Sequence, residues 1–175
     1  EVNMALGNGY MGIRSTTEEK YLNEVRNTFV AGTFNKAHNT EVTELPNIPD
    51  IIELKLIFNG EVFTLNRGKI HFYQRKLNLK TGELVRKITW SSETTGEIDL
   101  EFKRFISNKD LNLIGQKVSI TPKNQDIDVE IVSGINGQVT NSGVQHFIEG
   151  TKRFYDKKIM HSTQTTVESD IDIYI

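Results

Sequence analysis

Leu54-Lys55-Leu56-Ile57-Phe58, then Asn59-Gly60, then Glu61-Val62-Phe63-Thr64-Leu65 follow one another without a break. The side chains on both sides of the Asn-Gly pair alternate in character, with Leu54, Leu56 and Phe58 on one face and Phe63 and Leu65 on one face of the return, the period of half-buried strands. Asn-Gly tolerates the positive φ angles of a type I′ turn, so the stretch predicts a β-hairpin.

The same period continues toward the C-terminus. Residues 71–79 predict a strand, Lys80-Thr81-Gly82-Glu83 a turn, and residues 84–90 a returning strand with Leu84, Ile88 and Trp90 on one face. Ile98, Leu100 and Phe102 mark the buried side of the next strand, and residues 116–121, stopped by Pro122, and 127–131 predict two more. Turns are expected at residues 124–128 and 135–143, while residues 155–166 are weakly defined. Ile171-Asp172-Ile173-Tyr174-Ile175 alternates again. Strands at this spacing without a long helical period predict a mainly β fold, an antiparallel sandwich or barrel. Toward the N-terminus the pattern changes. Only residues 16–25 suit a short helix, and Leu45-Pro46-Asn47-Ile48-Pro49, short of amide donors, reads as an ordered surface loop in preference to a linker.

A length of 175 residues predicts a single domain, residues 1–175. With 37% apolar and 25% charged residues and a net charge of -2, the chain lacks the field that would draw nucleic acid or an anionic membrane, and neither is expected as a partner. The sequence has no apolar run of the roughly 18 residues a membrane span needs. It has no cysteine, which removes disulfides, thiolate metal sites and thiol nucleophiles and fits a cytoplasmic location. Starting at Glu1 without Met, and stopping on an alternating stretch, the chain is expected to be part of a longer one.

Candidate chemistry is sparse. Gly7-Asn8-Gly9-Tyr10-Met11-Gly12 has the glycine spacing of a dinucleotide fingerprint, but the antiparallel pattern after it is not a βαβ unit, and the glycines read better as tight turns. His38, His71, His146 and His161 are too scattered for metal-ligand spacing, so no metal is expected, and His71, ahead of a strand's apolar core, reads as a structural histidine. No nucleophile-elbow motif surrounds any serine. Glycosidic chemistry needs a protonated carboxyl beside the leaving oxygen, and Glu18, Glu19, Glu41 and Glu44 lie in suitable loops. Adjacent acids such as Glu18-Glu19 read more simply as solvated or helix N-terminal charges. Tyr10, Phe34, Phe58, Tyr73, Trp90 and Phe147 are able to stack on sugar rings, with a core position the simpler reading at strand positions such as Trp90.

Leu6-Gly7-Asn8-Gly9-Tyr10-Met11-Gly12-Ile13-Arg14 resembles the opening of the amino-terminal domain in glycoside hydrolase family 65, the family of maltose phosphorylase. Val30-Ala31-Gly32-Thr33-Phe34, Glu44-Leu45-Pro46-Asn47-Ile48-Pro49, Asn59-Gly60-Glu61-Val62-Phe63 with the following Leu65, the threonine-glycine turn in Leu77-Asn78-Leu79-Lys80-Thr81-Gly82-Glu83-Leu84, Arg104-Phe105-Ile106-Ser107, and Ser133-Gly134-Ile135-Asn136-Gly137 with Asn141 and His146 beyond are similar to family segments in the same order. Ser15 departs from the glycine many relatives carry there.

The resemblance implies part of a large galactose mutarotase-like supersandwich, joined by a helical linker to a catalytic α/α barrel of the same parent chain. It implies inversion, with a glutamic acid of the barrel protonating the leaving sugar while inorganic phosphate, a co-substrate, attacks the anomeric carbon. No cofactor is implied. The parent is expected to split maltose or a related α-glucosyl disaccharide into glucose 1-phosphate and glucose, and to be a homodimer. No residue of this chain inherits a catalytic role. Gly7, Asn8, Gly9, Tyr10, Gly12 and Arg14 are carried over as motif residues of structural or barrel-facing role, with a buried or interface salt bridge the reading for Arg14. The alternatives are an independent carbohydrate-binding sandwich, told apart by whether its aromatics line a groove or fill the core, and a family 65 hydrolase. An unpaired sheet edge in the piece alone is expected to drive self-association.

Overall fold

The computed structural model describes residues 2–175. After a 3-10 turn at Val2–Met4 come β1 (Leu6–Gly7), β2 (Met11–Ile13), β3 (Thr28–Val30), β4 (Leu54–Phe58) and β5 (Glu61–Val62). The long strands β6 (Lys69–Asn78), β7 (Glu83–Ser92), β8 (Gly96–Ile106) and β9 (Ile114–Pro122) follow, then β10 (Val129–Ser133), β11 (Phe147–Tyr155), β12 (Ile159–Thr166) and β13 (Asp172–Tyr174). All pairings are antiparallel, in sheets ordered β1-β2-β3, β10-β4-β5, β6-β7-β8-β9 and β11-β12-β13. The described residues contain no α-helix.

The β6–β9 sheet is the floor. Along its inner face β7 sends in Leu84, Arg86, Ile88 and Trp90, while β8 sends in Ile98, Leu100, Phe102, Arg104 and Ile106, all buried. Leu56, Phe58 and Phe63 of the hairpin region cover the Trp90 end and make one apolar cluster with it. Leu6, Met11, Ile13 and Val30 of the β1–β3 sheet, with Ile48, Ile52 and Phe147, cover the Leu84 and Ile106 end and make a second. Arg86 and Arg104 lie between the two.

Local chemistry explains the turns. Asn59 and Gly60 have φ of 49° and 81°, the positive pair a type I′ turn requires. Trp90 fixes the β5–β6 connection: its Nε1 donates to the Arg67 carbonyl at 2.7 Å, and its ring meets Phe63 edge-on at 5.3 Å. Gly68 beside it has φ of 72°, and a Cβ there would lie 2.5 Å from the Ser91 carbonyl oxygen and 2.6 Å from Trp90 Nε1. Only glycine fits.

Several expectations need correction. Residues 16–25 are not helical but run extended through bends and a turn, because Glu18 and Glu19 point into the protein. His71 does not precede the strand's apolar core. It sits within β6 at a register shift between Ile70 and Phe72, exposed, with Nε2 2.8 Å from Ser91 Oγ. The weakly defined residues 155–166 belong to a regular hairpin of β11 and β12, whose turn carries Asp156 and Lys157 at positive φ without the glycine that would have marked it. Residues 46–49 form a loop without regular structure, but they are buried throughout and not the surface loop expected.

Candidate functional site

The hairpin of β1 and β2 turns through Asn8, Gly9 and Tyr10. Asn8 Oδ1 accepts from the amides of Tyr10 at 3.0 Å and Met11 at 2.8 Å, closing the turn, and Gly9 takes φ of 85°. Asn8 Nδ2 donates to the carbonyls of Ser107 at 2.7 Å and Leu111 at 3.0 Å, which ties the hairpin to the β8–β9 loop. Gly7 and Gly12 face each other across the ladder, Tyr10 packs on the second apolar cluster, and the Arg14 amide donates to the Asn27 carbonyl at 2.9 Å. Gly7, Asn8, Gly9, Tyr10, Gly12 and Arg14 are thus brought together as one turn and the strand leaving it. Beside the turn, a cleft of about 580 Å³ lined by Tyr10, Met11, Ile51 and Ile173 has the size of a small-molecule site. Asp172 is its one acidic lining residue, and Thr165 already bonds it at 2.6 Å.

The second constellation is the charged layer between the apolar clusters. Arg86 Nη1 bonds Glu19 Oε1 at 2.7 Å, and Arg86 Nη2 bonds Glu18 Oε2 at 2.6 Å and also Glu19 Oε2. Arg104 Nη2 bonds Glu18 Oε1 and, at 3.3 Å, the Thr16 carbonyl. The Phe102 ring lies 4.2 Å from the Arg86 guanidinium carbon, a cation–π contact. All four charged side chains are 5% exposed or less, and their formal charges cancel. Burial works against the charge on Arg86, but Glu19 and then Glu18 outweigh it and hold the group above the ordinary arginine value. Burial lowers Arg104, opposed by Glu18. Neither arginine loses its proton in the working range of a protein.

The backbone that carries the two acids is bound as tightly. Arg26 Nη2 bonds the Glu19 carbonyl at 3.0 Å while its Nη1 reaches Asp50 Oδ2 at 3.2 Å. The Leu54 amide donates to the Glu18 carbonyl at 2.9 Å, and Arg75 donates to the Ser15 carbonyl. Glu18 and Glu19 are therefore not the solvated charges their adjacency suggests. Sealed from solvent and clamped by two guanidinium groups, they face no space from which a sugar could reach them. Glu41 and Glu44 bond the Ala37 amide and Asn141 Nδ2.

Sequence reasoning missed Arg86 and Arg104 as partners of the acids. The signal was their place on the apolar face of β7 and β8, where an arginine must find a buried carboxylate. Of the histidines, His146 is buried with Nδ1 3.0 Å from Asn35 Nδ2, and His161 stacks on Tyr174 at 6.4 Å. Among the described residues no three His, Asp or Glu groups come together as a metal site. No helix among them is long and apolar enough to cross a membrane.

The described residues form antiparallel sheets, with the Gly7 to Arg14 turn and the buried Glu18 and Glu19 packed within them, and the comparisons with known proteins give the family. The family model described as "Glycosyl hydrolase family 65, N-terminal domain" matches residues 1–175, and the chain belongs to that family. It is 50% identical to the kojibiose phosphorylase of Halothermothrix orenii over 98% of this chain, and 36% identical to that of Escherichia coli over 98%. It is 33% identical to the α,α-trehalose phosphorylase of Thermoanaerobacter brockii over 81%. A solved structure from the human microbiome, a candidate kojibiose phosphorylase, superposes with a TM-score of 0.82 at 19% identity over 95% of this chain and 23% of that one, a likeness of fold. The chain spans 22% of the length of the two kojibiose phosphorylases. These relatives correct the substrate expectation: their names carry kojibiose and trehalose, not maltose.

Proposed function

We propose that residues 1–175 are one folding unit at the amino-terminal side of a cytoplasmic, inverting glycoside phosphorylase, and that the parent's disaccharide is kojibiose. The observation that carries this is the 50% identity to the kojibiose phosphorylase of Halothermothrix orenii over 98% of this chain. In this reading the parent converts the disaccharide and inorganic phosphate to glucose 1-phosphate and glucose without a cofactor. The acid that protonates the leaving sugar lies in the barrel, outside this chain. The state of Glu18 and Glu19 supports that placement, because a general acid must reach the leaving oxygen and these two are sealed against arginines. Asn8 and the glycines around it shape the turn, and Arg14 follows the strand that leaves it. Trp90, Phe58, Phe63 and Phe102 fill the core, which favours a supporting role over an independent sugar-binding module.

The test is consumption of phosphate by the parent with kojibiose, trehalose, nigerose and maltose, run beside residues 1–175 alone. The expected result is glucose 1-phosphate from the parent, fastest with kojibiose, and no turnover by residues 1–175. Turnover by residues 1–175 would overturn the placement of the chemistry. A parent that releases glucose equally well without phosphate is a hydrolase.

A further inference from the structure

Asparagine is followed by glycine at three places in the chain, Asn8-Gly9, Asn59-Gly60 and Asn136-Gly137. Glycine has no Cβ to hinder its own amide nitrogen, so that nitrogen attacks the preceding asparagine Cγ wherever the two atoms are held close and the side-chain amide is able to leave. Two contacts of the asparagine therefore decide whether a pair reacts, one on Oδ1 and one on Nδ2.

The three pairs differ in these contacts. Asn8 Oδ1 accepts from the Tyr10 amide two positions on, which folds Cγ toward the Gly9 nitrogen, but Asn8 Nδ2 is held by the carbonyls of Ser107 and Leu111. Asn59 Oδ1 accepts from the Asp128 amide at 2.8 Å, so another segment and not its own turn engages it, and its Nδ2 donates to the Thr94 carbonyl at 2.9 Å. These bonds lie within the chain and hold both side chains whatever else the parent packs around them.

Asn136 meets both conditions for reaction. Its Oδ1 accepts from the Gln138 amide at 3.0 Å, an Asx-turn that folds Cγ toward the Gly137 nitrogen. The same N–H is placed to hold the oxygen as it gains negative charge in the tetrahedral intermediate. Asn136 Nδ2, the group that must leave, makes no hydrogen bond among the described residues. A recess of about 360 Å³ lined by Lys20, Glu53, Lys55 and Asn136 has room for the water that the second step consumes.

We propose that Asn136-Gly137 is a site of spontaneous modification, the first of the three pairs to convert to aspartate and isoaspartate. The Gly137 nitrogen loses its proton to solvent and bonds to Asn136 Cγ, the Cγ–Nδ2 bond breaks, and the departing amide takes up a proton and leaves as ammonia. Water then opens the cyclic imide. Cleavage of the new nitrogen–Cγ bond gives aspartate, and cleavage between the nitrogen and the former main-chain carbonyl gives isoaspartate, with no change of oxidation state on either route.

In the isoaspartate product the main chain runs through Cγ, and the former main-chain carbonyl becomes a side carboxylate. That carbonyl accepts from the Asp50 amide at 2.9 Å, and the Asn136 amide donates to the Asp50 carbonyl at 2.8 Å. Asp50 in turn bonds Arg26, which holds the Glu19 carbonyl. Conversion thus loosens the anchor of the segment that carries the buried acids. It does not depend on which disaccharide the parent uses.

The test is peptide mapping by mass spectrometry of the full-length parent aged at mildly alkaline pH, with isoaspartate read by enzymatic methylation and Tm measured on the same samples. In the folded parent Asn136 is expected to convert at least about tenfold faster than Asn8 or Asn59, whose Nδ2 bonds must open first. In denaturant, where these contacts are gone, the three rates are expected to converge. Asn136→Gln is expected to remove the early conversion and the fall in Tm that accompanies it. Conversion of Asn136 no faster than that of the other two in the folded parent would overturn the proposal. A lead that persists undiminished in denaturant would overturn it as well, by assigning the rate to neighbouring residues and not to the fold. A Tm that falls equally on ageing in Asn136→Gln would overturn the link to Asp50.

Discussion

Trp90 and Arg86 stand four residues apart on one strand and enter the same interior, yet the surroundings of the two have little in common. Around Trp90, apolar side chains from two sheets meet, and the single polar atom of the indole finds the Arg67 carbonyl. Around Arg86, a second arginine and two glutamates fill the layer, and Arg86 Nε and Arg104 Nε and Nη1 find no acceptor among the described residues. Apolar burial is non-directional and forgiving of small shifts. A buried ion cluster tolerates few geometries, because each unmet charge is expensive. The first region supplies stability, and the second decides where residues 15–26 lie on the sheet.

That contrast can be broken from both sides. Trp90→Ala should remove about 3–5 kcal/mol through lost burial and the cavity left behind, read in denaturant unfolding. Arg86→Met should remove a similar amount, about 3–5 kcal/mol, because Glu19 loses its ion pair and Glu18 keeps only Arg104. The two should part when the cluster is replaced as a whole. Arg86→Met and Arg104→Met combined with Glu18→Leu and Glu19→Leu should be neutral or stabilising by about 1–4 kcal/mol, since no charge is then stranded. If the fourfold variant is as unstable as Arg86→Met alone, the cluster contributes net stability and the contrast fails.

Smaller effects sharpen the picture at the edges of these regions. Asn8→Ala removes the side chain that both closes the β1–β2 turn and holds the β8–β9 loop, and about 1–3 kcal/mol should be lost. The smallest effect concerns Glu61, whose carboxyl is held below the ordinary carboxylate value by hydrogen bonds from Ser92 and then Thr94. A depressed folded-state value means that its contribution is complete above the unfolded value of about 4.3 and is lost as pH falls through the folded one. Glu61→Gln should therefore flatten the acid limb of a stability-against-pH curve slightly and leave stability at pH 7 to 8 with no new slope.

Much of the floor was legible in the sequence because period-two alternation and turn chemistry are local. Asn59-Gly60 and the alternation through Leu84, Ile88 and Trp90 lead to the hairpin and the central strands from neighbouring residues alone. The β11–β12 hairpin was not legible, since its turn is made by Asp156 and Lys157 at positive φ and the residues that β12 buries, Ser162, Gln164 and Thr166, are polar. At the candidate site the Gly7 to Arg14 motif was legible as a turn, with Asn8 reaching Ser107 nearly a hundred positions away visible only in the fold. Glu18 and Glu19 misled because adjacent acids on a polar stretch resemble a helix start. Their burial is dictated by Arg86 and Arg104, some 70 to 90 positions downstream, and no local window contains both halves of the cluster.

The account rests on the acids of this chain being structural, and Glu18→Gln in the full-length parent tests that most directly, with phosphorolysis of kojibiose and thermal unfolding measured on the same preparation. The prediction is a lowered Tm with the rate of glucose 1-phosphate formation per folded molecule unchanged. A loss of roughly 10²–10⁴-fold in rate, the range expected for removing a general acid, at an unchanged Tm would contradict it and place this chain in the chemistry.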